Sequence, residues 1–247
     1  MKIMSLTLIA FLALGTYSSF ASFSNNYEVA IVRVDGDVLM DEKGDGNWVP
    51  VERDMRLRAD TKIKTGFYSE AEMVFDTDGL NFARVEQNTD TTIQKAGFGL
   101  KEGAIMANFF NMAAGENFII TTPVHAYAMT GSGMRVEYRE GRGNYKLFEG
   151  KGFHQNVAPD GSLTGDPSGI TEGNKLGVGA DGIVGPTESV TPEEQSTWDK
   201  FIADLVNNGD DIRNRLKNLQ DTVEGAENDN ASQNLTKDQE RILSNNS

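Results

Sequence analysis

DEKGDGNWVPVE, residues 41–52, places Asp41, Asp45, Gly46 and Glu52 at positions 1, 5, 6 and 12 of an EF-hand-like calcium loop. Position 3 is Lys43, a cation where an oxygen ligand belongs, and Pro50 excludes the second helix such a loop needs. The two histidines, His125 and His154, are distant in sequence, and the chain has no Cys. A zinc site would need both of them and carboxylates besides. Ser132 in TGSGM lacks the G-x-S-x-G pattern, and no helix follows it. Glu70 and Glu72 share a strand face that reads as solvated, so burial is not expected to raise their pKa values. The glycines between 161 and 177 do not lie between a strand and a helix, so they do not cradle a phosphate. The expectation is a protein that is not an enzyme, with no catalytic residue, metal ligand or cofactor.

The segments that carry these residues read as strands. YEVAIVRVDGDVLM turns at Asp35-Gly36, and KIKT ends at Gly66, where a corner with positive φ is cheap only for glycine. EAEMVFD alternates, with Ala71, Met73 and Phe75 on one face and Glu70, Glu72 and Asp76 on or near the other. Asp78-Gly79 is a two-residue hairpin signal. LNFARV, TTIQ, GLKEGAIMANFF, NFIITT, HAYAMT, GMRVEYRE and NYKLFEG follow, each bounded by Gly, Asn or Pro. In GMRVEYRE, Met134, Val136 and Tyr138 are expected inside, with Arg135, Glu137 and Arg139 outside. Short strands with regular turn signals argue for an all-β domain, β-solenoid-like or a sandwich. Trp48, Pro50 and Val51 are expected to lock its first hairpin onto the core.

Four segments result. Residues 1–21 read as a cleavable signal peptide: Lys2 begins it, IMSLTLIAFLALG is its apolar centre, and Ser19 and Ala21 form a small-residue cleavage site. The apolar run is too short to span a bilayer comfortably, so no stable span is expected after cleavage. A periplasmic or secreted location follows. Residues 27–157 form the β domain, 158–189 a Gly-rich linker, and 190–247 a helical, partly disordered C-terminal region. LGVGADGIVGP within the linker could still make a short strand pair. The net charge of −14 argues against nucleic acid and anionic lipid as partners.

Thr191-Pro192-Glu193-Glu194 is a capping box, with Thr191 as N-cap and Glu194 at N3. Trp198, Phe201, Ile202, Leu205 and Val206 then form an apolar stripe at helical spacing. Asn207-Asn208-Gly209 is expected to stop this helix, and a second to carry Ile212, Leu216, Leu219 and Val223. Two short helices bury too little to stand alone. Trp198, Phe201 and Leu205 therefore either dock on the β domain or form a partner-binding surface.

The opening of the β domain resembles a known family. Trp48-Val49-Pro50-Val51, Ile63-Lys64-Thr65-Gly66, Ser69, Ala71, Phe75, Asp78-Gly79 and the polar turn before Ile93 follow the order of the FecR domain. Leu100-Lys101-Glu102-Gly103, Phe118-Ile119-Ile120-Thr121-Thr122-Pro123 and Leu147-Phe148-Glu149-Gly150 continue the resemblance across about residues 28–157. Gly131-Ser132-Gly133-Met134 stands at the family's G-T-x-F turn, with Met in place of its aromatic. FecR regulators resemble one another in carrying a cytoplasmic segment and a membrane helix ahead of this domain; residues 1–21 read as a signal peptide there, with an uncleaved N-terminal anchor as the rival reading. The resemblance therefore implies the domain but not the whole transmembrane device.

Two functions are compatible with these observations. The first, implied by the resemblance, is a non-enzymatic binding or sensing module that recognises an envelope or outer-membrane protein, often by strand addition at a sheet edge. The second is an envelope-structural or glycan-associated protein with the β domain as scaffold.

Overall fold

The computed structural model describes residues 29–76, 81–110, 112, 117–131 and 133–217. Just over half of these residues are strand, and one helix closes the described chain. Residues 1–21, read above as a signal peptide, and Asp78-Gly79, Ser132, Leu219 and Val223 lie outside the described residues.

The strands are β1 (Val29–Asp35), β2 (Val38–Asp41), β3 (Val49–Pro50), β4 (Arg56–Leu57), β5 (Lys62–Thr65) and β6 (Glu70–Val74). Then come β7 (Asn81–Val85), β8 (Asp90–Gln94), β9 (Gly97–Phe109), β10 (Phe118–Thr121), β11 (His125–Met129) and β12 (Gly133–Arg139). The last are β13 (Arg142–Glu149), β14 (Lys151–Val157), β15 (Leu163–Thr171), β16 (Asn174–Val178) and β17 (Glu188–Ser189). Helix α1 spans 192–217.

Two ladders share β9. The first runs β4-β1-β6-β7-β9-β12-β13-β16-β17, antiparallel throughout. The second runs β3-β2-β5-β8-β9-β10-β11-β14-β15, with β9 and β10 its parallel pair. Neither is closed. β9 passes from one to the other at Gly103, whose φ is 108°. A side chain there would fall on Thr89, so the crossing needs glycine.

The alternation explains the core. Met73, Val85, Ile105, Met134 and Tyr145 of the first ladder and Ile63, Phe98, Phe118 and Tyr127 of the second belong to one buried cluster. Phe75, Phe98, Phe109 and Phe118 meet at its centre with ring centroids 4.0–5.9 Å apart. Each such side chain contributes about 1.5–3 kcal/mol on burial.

Three expectations change. The Gly-rich stretch expected as a linker forms β15, β16 and β17, which pair with β14, β13 and β16. Ile170, Leu176 and Val178 are buried in the core and fix it there, and the strand pair in LGVGADGIVGP exists as a Val178–Val184 bridge. Asn207-Asn208-Gly209 does not end the helix, which continues to residue 217. Glycine inside a helix costs about 1 kcal/mol, less than burial of Ile212 and Leu216 returns. The corner after Thr65 takes its positive φ at Tyr68 (54°) and not at Gly66.

Candidate functional site

The outer face of the first ladder carries a row of side chains in register, all charged but one. Arg33, Glu72, Arg84, Met106, Arg135, Lys146 and Lys175 are successive cross-strand partners from β1 to β16. Side chains in such pairs lie close enough to interact directly. Glu72 pairs with Arg84, and Arg135 forks onto Glu86 at 2.7 and 2.9 Å while reaching Glu137 at 2.9 Å. Those ion pairs outweigh the cost of burying Arg135 and hold its guanidinium charged. The face expected to be solvated is thus partly covered. Glu72 is only 3% exposed, because α1 crosses above it.

Helix α1 is strapped across this face at both ends. At its start the capping box is reciprocal: the Thr191 N–H donates to Glu194 (2.8 Å) and the Glu194 N–H to Thr191 Oγ1 (3.3 Å). Lys146 and Lys175 also reach the Glu194 carboxylate, at 2.9 and 3.0 Å. Burial works to raise the Glu194 pKa, but the Thr191 N–H and the two ammonium groups outweigh it and hold the value at about 2. At the far end Arg215 pairs with Asp54, and Arg53 with Asp211 at 2.9 Å. From Glu194 to Arg215 is about 31 Å of helix. From β13 to β4 is six strand steps, about 29 Å. The strap and the sheet match in length.

Trp198, Phe201 and Leu205, the residues expected to dock in cis or to bind a partner, all lie beneath the strap on the sheet of the same chain. Trp198 stacks on Phe148 with centroids 4.7 Å apart and planes 5° apart, and its Nε1–H reaches Glu149 at 3.4 Å. Its ring lies against Gly133, where a Cβ would overlap Cζ2 and Cη2. Phe201 lies under the Arg84 guanidinium, 4.8 Å from ring centre to Cζ. Sequence reasoning missed Gly133: in the motif it occupied the unrestricted position, and only the helix makes it necessary.

The second ladder has no helix on its outer face among the described residues. Its terminal strands differ greatly. β3 has two residues, whereas β15 has nine, pairs with β14 alone among the described residues, and exposes seven consecutive residues, 163–169. The first ladder ends on the two-residue strands β4 and β17. β15 is therefore the one long edge strand among the described residues. Pro167 sits where the β14–β15 register shifts, a position that tolerates the missing N–H. A groove of about 380 Å³ beside it is lined by Phe153, His154, Leu163 and Pro167.

His125 and His154, far apart in sequence, are neighbours on β11 and β14, with Nε2 and Nδ1 2.9 Å apart. Burial, then the nearby His154, push His125 down to about 4, and burial lowers His154 as well. Both shifts favour the neutral imidazole. Among the described residues no group of three or more His, Cys, Asp or Glu could hold a metal. In the 41–52 loop, Asp41 turns inward and accepts the N–H groups of Asp45 (3.2 Å) and Gly46 (3.0 Å), so it organises the loop. Trp48 is half-buried beneath Lys64, 4.2 Å from its ring centre, while Val51 is in the core and Pro50 is exposed. No helix among the described residues is long and apolar enough to cross a membrane.

No family model and no curated protein matches the chain. Two crystal structures of a proposed anti-sigma factor from Parabacteroides distasonis are similar, each at 13% identity and a TM-score of 0.44. The match covers 56% of this chain and 63% of each neighbour, so the chain spans less than two thirds of their length.

Proposed function

We propose that the chain is a non-enzymatic, FecR-like binding or sensing module that recognises a protein partner in the cell envelope, after export and cleavage behind Ala21. The observation that carries this reading is β15, a long edge strand with one side unpaired among the described residues. An exposed edge of this length is a template for another chain, and folds that need none keep such edges short or cover them. Strand addition would give the affinity through main-chain hydrogen bonds, and the adjoining groove at Phe153 and Leu163 would supply side-chain selection. The motif order across residues 28–157 supports the same reading from the sequence side.

Affinity capture from envelope extract with the chain beginning at Ser22, run beside binding to purified cell-wall polymer, tests the proposal. Retention of an outer-membrane receptor is the expected result. Retention on the polymer with no protein partner would contradict it and favour a structural scaffold.

A further inference from the structure

The tip after β5 exposes two aromatic rings that the fold does not use. Phe67 is 65% and Tyr68 80% exposed, with centroids 4.0 Å apart. Tyr68 has a φ of 54°, a conformation that Gly or Asn adopts at little cost and a bulky residue rarely does. Its N–H is held by Gln87 Oε1 at 3.0 Å. Tyr68 therefore stands at the mouth of a cleft of about 620 Å³ on the outer face of the first ladder, closed on its far side by the first turn of α1.

The floor of that cleft narrows the ligand class. Arg84, Arg135 and Lys146 are its cations, and each already has a carboxylate: Glu72, Glu86 and Glu194. The floor therefore offers a charged ligand no cation that lacks a carboxylate of its own. Yet hydrogen-bonding capacity remains. Arg135 uses Nε, Nη1 and Nη2 toward Glu86 and Glu137, and a guanidinium has five N–H donors in all. Glu86 accepts two of these bonds, and a carboxylate has about four lone-pair sites. Spare donors and acceptors thus lie side by side on a rigid sheet. They match a ligand whose neighbouring hydroxyl groups each donate and accept. Such a ligand also presents C–H faces for an exposed aromatic ring.

We propose that this cleft binds a neutral saccharide, with Tyr68 as the stacking platform and the Glu86–Arg135 fork as its hydroxyl reader. The site is separate from β15 and does not rest on the protein-partner reading. The test titrates the chain beginning at Ser22 with chitotriose, cellotriose and maltotriose, and with the peptide Ser-Gly-Ser-Gly, by calorimetry and ligand-detected NMR. At least one trisaccharide binds, Tyr68→Gly weakens it by about tenfold or more, and Tyr68→Phe retains it. Because glycine relieves the backbone at this position, Tm of Tyr68→Gly equals or exceeds that of the parent. Failure of all three trisaccharides at millimolar concentration overturns the proposal. So does binding of the peptide alone, binding that Tyr68→Gly leaves unchanged, or loss of binding accompanied by a lower Tm.

Discussion

Gly133→Ala is expected to destabilise the protein by about 2–4 kcal/mol, although it adds a single methyl group. The position has no positive φ, so the backbone tolerates alanine. What it does not tolerate is the overlap with the Trp198 ring, which is 1% exposed, stacked on Phe148 and closed in by the strap. The new Cβ must either lift the indole from its seat or shift β12 against β9 and β13. For a chain of this size each kcal/mol corresponds to about 2–4 °C, so Tm should fall by roughly 5–15 °C. Trp198→Ala alone should cost about 3–5 kcal/mol. In that background Gly133→Ala should cost almost nothing, because its obstacle is gone. Thermal melts of the two single variants and the double variant check this. Additive losses would mean that Gly133 matters for the strand itself and not for the helix above it.

Glu194→Gln is expected to cost about 1–2 kcal/mol at pH 7, with the cost shrinking as pH falls through about 2. The carboxylate is mostly covered, caps its own helix and receives Lys146 and Lys175. Glutamine can still accept from Thr191 but offers the two ammonium groups no charge, and such half-buried pairs are worth more than exposed ones. Because the folded-state pKa lies at about 2, below the ordinary 4.5, the charged form favours folding. That contribution is fully present above about pH 4.5 and is lost as pH falls through about 2. Denaturant midpoints for parent and variant across this range should converge downward in pH. A gap that stays constant would show that the carboxylate is not held by its charge.

The strands were legible because each keeps its own period. EAEMVFD and GMRVEYRE alternate, and turn residues bound them, so β6 and β12 follow from nearest neighbours alone. β15 and β16 were not legible for the opposite reason. Ile170, Leu176 and Val178 are isolated among glycines, and only the ladder with β13 and β14 makes them core. The helix stop at Asn207-Asn208-Gly209 is a true local preference overruled by Ile212 and Leu216, which reach the sheet only if the helix continues. Whether the Glu72 face met water or protein depended on a helix more than a hundred residues later. The His125–His154 pair likewise needs the register of β11 on β14, which no spacing in the sequence encodes.

The capping box, by contrast, was readable in full. It fixed where α1 begins and therefore which residues share its buried side. Trp198, Phe201 and Leu205 are covered by their own sheet, so the proposed partner surface is placed on β15 instead.

Photo-crosslinking from that strand inside the cell envelope tests the protein-partner reading most directly. A photoreactive residue is placed in turn at Asp166 and Ser168 on β15 and at Lys200 on the exposed side of α1. The expected result is one discrete protein adduct from positions 166 and 168 and none from 200. No adduct from β15, or the same adducts from the helix position, would contradict recognition through this edge.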